Sequence, residues 1–380
     1  MKKAIFTLAT PLLLAATAAN AASIIKTDNS SLDIFGRAKF TAKNDSVKGS
    51  SAGLSSRFGV KGEIKDENGN SAFFRTGWNM ASSTDSSASN NTKTTSVADP
   101  DKPTDKNKRN NVLTSSGGNN ISARYQFVGL GFEGIGKFTF GQNDTPFYTL
   151  VTSATDIFQY GGLEASAGTY GYNFAPNQAL YSNTFGRLTV QASYQFKTTE
   201  GGDSKNGDIL DVFSAGLTSA NFKTQNNAYS AAASYALTDA LNLRAGYAFQ
   251  TFTNKATKSN YGLAADYTVG NLYFAGVYTH NKEDDGQNKA SRNGYEVAAS
   301  YNMDKYTFTT GYAYGTQDSD VATTPNPNGG KPTQNDDIAY AKAFKLGVTY
   351  HVFSNVKTIA QITHNTSGSN TYLGGLNYTF

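Results

Sequence analysis

Cysteine is absent from the chain, which excludes a small disulfide scaffold and leaves hydrogen bonding and packing as the sources of stability. Long apolar runs are missing too. Beyond the first 21 residues no segment approaches the roughly 18 consecutive apolar residues that a membrane-spanning helix needs. An excess of one charge sign is also lacking. Without Lys2 and Lys3 the chain holds 31 basic and 29 acidic residues, a net +2, so nucleic acid is not implied as a partner. The three histidines, His280, His351 and His364, lack metal-ligand spacing and have no cysteine to complete a zinc site. No metal or cofactor is expected, and among many serines and aspartates nothing marks a catalytic nucleophile.

What is present starts at the N-terminus. Lys2 and Lys3 precede an apolar stretch from Ala4 to Ala18, broken by Thr7, Thr10, Pro11 and Thr17, and then the small-residue site Ala19-Asn20-Ala21. This order predicts a secretory signal peptide over residues 1–21, cleaved after Ala21, with an apolar core too short to remain as an anchor. Residues 22–380 are then one exported domain. The whole chain combines 23 Tyr and 24 Phe with only 8 Pro and a negative mean hydropathy. A β-barrel in a membrane resolves that conflict, because lipid-facing and water-facing residues alternate and the average stays polar while one face of every strand is apolar.

The alternation is explicit. Leu188, Val190, Ala192, Tyr194 and Phe196 interleave with Arg187, Thr189, Gln191, Ser193, Gln195 and Lys197, and period two puts the two sets on opposite faces of a sheet. The pattern recurs from Leu241 to Phe249, Tyr261 to Val269, Tyr295 to Tyr301, Tyr306 to Tyr314 and Phe344 to Tyr350. Aromatics at strand ends fit the interfacial girdles of membrane barrels. Seven tight turns, near 65–70, 132–135, 184–186, 237–240, 269–271, 302–305 and 351–355, alternate with eight longer connections, near 43–51, 81–119, 144–177, 198–226, 253–258, 281–292, 316–337 and 367–370. The expectation is an all-β, 16-stranded antiparallel transmembrane barrel with short periplasmic turns and long extracellular loops. Closure is required because an unpaired backbone group in hydrocarbon costs several kcal/mol. A barrel of about 16 strands keeps an aqueous channel rather than a packed core.

Several runs carry a family resemblance: Leu32-Asp33-Ile34-Phe35-Gly36-Arg37, Ser56-Arg57-Phe58-Gly59-Val60-Lys61-Gly62-Glu63, Ala123-Arg124-Tyr125-Gln126-Phe127, Phe138-Thr139-Phe140-Gly141-Gln142 and the terminal Phe380. The chain resembles the general diffusion porins of enteric bacteria, the family of outer membrane proteins C and F, most fully from Ala22 to about Phe196. The resemblance implies a homotrimer in the outer membrane, among lipid and lipopolysaccharide, passing small hydrophilic solutes and ions passively and carrying out no catalysis. It implies that Gly375 to Phe380, with Tyr378 and Phe380, is read by the barrel-assembly machinery. It also implies a pore-constricting third loop, here 144–177, whose motif of an aromatic and two glycines is matched by Tyr160, Gly161 and Gly162.

By the same resemblance Arg37, Arg57 and Arg124 form a basic wall opposite that loop. Alternation independently turns Arg57 to the polar face, opposite Phe58 and Val60, and Arg75 joins it, opposite Phe74 and Trp78. Two departures stand out. Gln159 replaces the carboxylate expected before the aromatic, leaving Asp156 as the main acidic candidate, and Gln142 stands where a further basic residue is expected. Arginines facing a carboxylate across a water-filled gap set up a transverse field. At about 7 Å two unit charges interact by roughly 0.6 kcal/mol in water and about 2.4 kcal/mol at an effective dielectric of 20. That orients a dipolar solute without trapping it, as diffusion requires.

Alternatives are a substrate-selective channel, for sugars along Phe158 and Tyr160 or for anions, and a surface adhesin with a plugged lumen. Gly129-Leu130-Gly131-Phe132-Glu133-Gly134 matches a dinucleotide fingerprint literally, but Lys137 to Gln142 alternates as a strand where that fold needs a helix. The polar stretch 82–119 lacks the glycine and terminal glutamate of a calcium loop. The resemblance suggests that it latches onto a neighbouring subunit.

Overall fold

The computed structural model describes residues 22–47, 49–81, 92–98, 109–115, 120–162, 165–166, 174–197, 225–253, 255–324, 333–365 and 368–380; the expected leader, residues 1–21, lies outside them. The strands are β1 (Ala22–Lys26), β2 (Ser30–Asp45), β3 (Gly49–Lys65), β4 (Ser71–Ala81), β5 (Thr92–Ala98), β6 (Arg109–Ser115), β7 (Asn120–Phe132), β8 (Gly136–Asp144), β9 (Phe174–Phe185) and β10 (Leu188–Gln195). They continue as β11 (Gln225–Ala236), β12 (Leu241–Phe252), β13 (Thr257–Val269), β14 (Leu272–Asp284), β15 (Lys289–Met303), β16 (Tyr306–Thr324), β17 (Thr333–Phe353), β18 (Val356–His364) and β19 (Asn370–Thr379). A short helix, α1 (Pro146–Leu150), follows β8.

Strands β2–β4 and β7–β19 pair antiparallel in sequence order, and β19 returns to β2 with Thr379 opposite Arg37 and Thr371 opposite Asp45. Sixteen strands therefore close on themselves. The seam is sealed by the last residue: Gly36 N–H donates to the Phe380 carbonyl at 2.7 Å, and Phe380 N–H donates to the Gly36 carbonyl at 3.0 Å. Strand β1 pairs with Ser31–Ile34 of β2, on the edge that β19 leaves beyond Arg37, and so prolongs the line of β19.

Side chains sort between the two faces as period two requires. On β12, Arg244, Ala248 and Gln250 are buried while Leu243, Ala245 and Tyr247 are exposed; on β13, Asn260, Ala264 and Asp266 are buried while Tyr261, Leu263 and Tyr267 are exposed. The apolar face points outward, as expected of a wall solvated by lipid. Tyr278, Tyr295 and Tyr314 line up on β14, β15 and β16 with ring centroids 5.1 and 6.5 Å apart. A second belt, with Tyr306 and Tyr350 4.9 Å apart, runs near the short turns. Tyr261 and Tyr267 mark the two levels on β13, and six residues at about 3.4 Å separate them by about 20 Å along the strand.

All seven tight turns lie where expected. In the first, Asp66 accepts from the backbone N–H groups of Asn68 and Asn70 and from the Asn70 side chain. The Asn70 side-chain bond is the main reason its carboxyl titrates below the usual range. Several longer connections differ from expectation. β2 and β3 meet across residues 46–48, and β14 and β15 across residues 285–288, within stretches expected to be loops. Strands β16 and β17 likewise run on to Thr324 and from Thr333. The ladder continues because backbone pairing needs no apolar side chains. Once a strand leaves the bilayer its outward residues turn polar, and the hydropathy signal ends before the strand does. The 81–119 connection contains a further hairpin, β5 with β6, which no alternation in the sequence announced.

Candidate functional site

The chain after β8 folds into the lumen. Thr145 caps α1, its hydroxyl accepting from Tyr148 N–H at 3.3 Å, and Pro146 occupies the first turn, where its missing donor costs nothing. Phe147, fully buried, packs on Ala228 and Ala248, and Leu150, Val151 and Ala154 cluster with Ala232, Ala264, Ala275 and Val277. These partners lie on the inward faces of β11 to β14. Glycines make the room. A Cβ on Gly262 would lie 2.7 Å from Phe147, and one on Gly311 would lie 2.6 Å from Phe158.

Polar anchors follow in order around the wall. Tyr273 on β14 donates to the Ala154 carbonyl at 2.8 Å. Glu296 on β15, 4% exposed, accepts from the Thr155 hydroxyl at 2.6 Å and from the Ala165 and Ser166 N–H groups at 2.9 Å each. Lys345 on β17 sits 5.1 Å over the Phe158 ring. Gln361 on β18 donates to the Tyr160 carbonyl at 2.6 Å. Lys39 and Lys43 on β2 donate to the Gln159 carbonyl at 2.8 Å and the Tyr160 hydroxyl at 3.0 Å. The segment thus hugs the wall from β11 round to β2. Gly161 then turns the chain at φ +61°, a conformation that explains a glycine directly after the aromatic.

Opposite lie the expected arginines. Arg37 on β2 and Arg57 on β3 are direct cross-strand partners, and Arg57 Nε donates to Asn79 at 3.0 Å. The Arg75 guanidinium on β4 is sandwiched between Phe35 and Tyr125, 4.8 and 4.1 Å from their ring centres. Arg124 lies over Tyr125 and Phe174 at 5.2 and 5.6 Å. Strict alternation would put Arg124 and Tyr125 on opposite faces. The β4–β7 register shifts at this point, Gly77 facing Tyr125 and Trp78 facing Ala123, so Arg124 is the extra residue of a bulge and both side chains line the same cavity. Gln142 donates to the Ala123 and Arg124 carbonyls at 2.8 and 3.1 Å, holding the bulge instead of presenting a charge.

Between the arginines and the folded-in segment is a cavity of about 950 Å³, lined on one side by Arg37, Arg57, Arg75 and Arg124 and on the other by Tyr148, Ser153 and Gln159. Asp156 is engaged within its own segment, accepting from the Tyr148 hydroxyl at 2.8 Å. Three contributors were not singled out from the sequence: Asp144, which accepts from Tyr125 at 2.9 Å, Lys357 on the cavity wall, and Glu296. Glu296 was detectable as a lone inward carboxylate midway along an apolar-outward strand. Tyr378 and Phe380 sit on the seam with their rings 5.9 Å apart, and Phe380 also lines this cavity beside Gly36 and Arg37. Among the described residues no cluster of three metal-ligating side chains occurs.

A family model described as Gram-negative porin matches residues 7–379. Outer membrane protein U of Vibrio vulnificus is 29% identical over 289 residues, 75% of this chain and 70% of that protein. The structure of Salmonella typhi OmpF in complex with daunomycin superimposes with a TM-score of 0.68 at 17% identity, covering 94% of this chain and all of that one. Vibrio cholerae OmpT, folded in vitro and solved in a trimer form, gives 0.64 at 16% identity, covering 93% and 100%.

Proposed function

The chain belongs to the Gram-negative porin family and forms a channel in the outer membrane, and we propose that its conducting path is the gap between the arginines of β2, β3, β4 and β7 and the segment 145–162. The observation that carries this reading is the cavity of about 950 Å³ inside a closed barrel, with Arg37, Arg57, Arg75 and Arg124 facing the folded-in segment across it. A solute in transit meets Arg37, Arg57, Arg75 and Arg124 on one side and Gln159 with Tyr148 on the other. Each contact is weak at water-like dielectric, which keeps exit fast. The path carries small hydrophilic solutes and ions passively, and the chain acts as a channel and not as a catalyst.

Residues 1–21 act as the export signal, and Tyr378 with Phe380 serves as the assembly signal. The trimer form of the OmpT structure, which shares this fold, supports a homotrimer in lipid and lipopolysaccharide. Refolded protein in planar bilayers should give discrete conductance steps; a silent barrel would turn the reading toward an adhesin. A sugar-selective track along Phe158 and Tyr160 predicts current block that saturates with sugar concentration. The engagement of Phe158 by Gly311 and Lys345, and of Tyr160 by Lys43 and Gln361, favours the unselective path.

A further inference from the structure

Opposed charges across a constriction were the expectation from the sequence, yet the two sides of this cavity are not opposed. Eight Lys and Arg residues line it against three Asp and Glu. Lys65 pairs with Glu63 at 3.7 Å and Arg244 with Asp266 at 2.5 Å, which removes two bases and one of the lining acids from the balance. Six bases then face Glu133 and Asp144, an excess of four positive charges (eight less two, against three less one).

Among the described residues the loop contributes only neutral groups to the lining: Tyr148, Thr149, Leu150, Ser153 and Gln159. Its one described carboxylate, Asp156, is turned to the Tyr148 hydroxyl and is not among the lining residues, and Glu296, on the wall behind the loop, accepts from three donors of the loop itself. Arg37 and Arg57, like charges directly across a strand pair, are an arrangement that destabilises a sheet. The partner found for Arg57 is the neutral Asn79, and Arg37 Nε is buried without a hydrogen-bond acceptor.

We propose that this channel selects for anions, with Arg37, Arg57 and Lys357 as the specificity-determining groups and with chloride, carboxylates and phosphorylated solutes as the favoured class. The inference rests on the channel reading above. An anion entering the cavity is attracted by a positive excess on the wall that outweighs the one described carboxylate of the loop, Asp156, whereas a cation meets the reverse.

The test is the reversal potential of refolded wild-type protein under a potassium chloride gradient, repeated for Arg57→Ala, Arg37→Ala/Arg57→Ala and Gln159→Glu. The wild type should pass chloride over potassium. Each arginine removed should lower that permeability ratio about two- to threefold at roughly 0.1 M salt, where a unit charge about 7 Å from the ion path is partly screened. Gln159→Glu adds a carboxylate on the loop and should lower the ratio while leaving the arginines in place, so it stands even where an arginine variant refolds poorly. A cation-selective wild type, or a ratio that none of the three substitutions moves, overturns the proposal while leaving the channel intact. Absence of conductance in the wild type overturns the channel reading, and this inference with it.

Discussion

Glu296→Gln tests whether the loop is locked to the wall by one carboxylate. In the native arrangement both oxygens are used, one by Thr155 and the other by the Ala165 and Ser166 N–H groups, in a residue almost wholly removed from water. Hydrogen bonds to a buried charge contribute about 1.5–3 kcal/mol each, against about 1 kcal/mol for neutral ones. The best an amide can do is offer its oxygen to the two backbone donors and its NH₂ to a reversed Thr155 hydroxyl. All three bonds survive as neutral ones, at a loss of about 2–3 kcal/mol. That raises the detached population of the loop roughly 30- to 150-fold. Glu296→Ala removes all three bonds to the wall and should go further. Because the strand ladder is untouched, thermal unfolding of the barrel should change little, while single-channel records should show more frequent partial closures at lower voltage. Thr155→Val removes one bond without altering charge and should give a smaller effect of the same kind. Closure statistics identical to wild type in Glu296→Ala would refute the reasoning.

Three further outcomes follow from the geometry. Gly262→Val introduces branched carbon at a position where even a single added Cβ would meet Phe147 Cζ at 2.7 Å; overpacking of about 1–3 kcal/mol should push α1 into the lumen and lower unit conductance, and unchanged conductance would count against α1 as a pore boundary. Phe380→Ala strips the ring that covers Gly36 at the barrel seam, so the heat-modifiable folded fraction recovered from outer membranes should fall; equal recovery would remove the terminal aromatic from the assembly signal. Deleting residues 92–115, the β5–β6 hairpin, should lower the trimer melting temperature without altering monomer circular dichroism if the hairpin latches onto a neighbour.

The sheet was legible residue by residue where the bilayer enforces it. On β10, β12, β13 and β15 every outward position from girdle to girdle must be apolar, so alternation survives in the sequence and the turns between strands fall at the breaks. Above the membrane that pressure disappears. Hence the upper parts of β14 to β17, held by backbone pairing among Lys282, Glu283, Asp284 and their neighbours, read as loops. The arginines were partly legible: Arg57 and Arg75 from period two, Arg37 and Arg124 from resemblance. Arg124 was beyond period two altogether, because a bulge breaks the parity that any such count assumes.

By itself the sequence determined the class of the object: a closed sheet with a greasy outside, polar inside and 16 crossings, since each of these is a local repeat written at intervals of two residues. The contents of the lumen were decided by tertiary structure alone. Gly262 and Gly311 look like ordinary strand glycines until Phe147 and Phe158 lie against them, and Glu296 looks like a pore charge until three loop donors consume it. Which charges still face the water is a sum over residues more than a hundred positions apart, and only folding brings the two sides of that sum together.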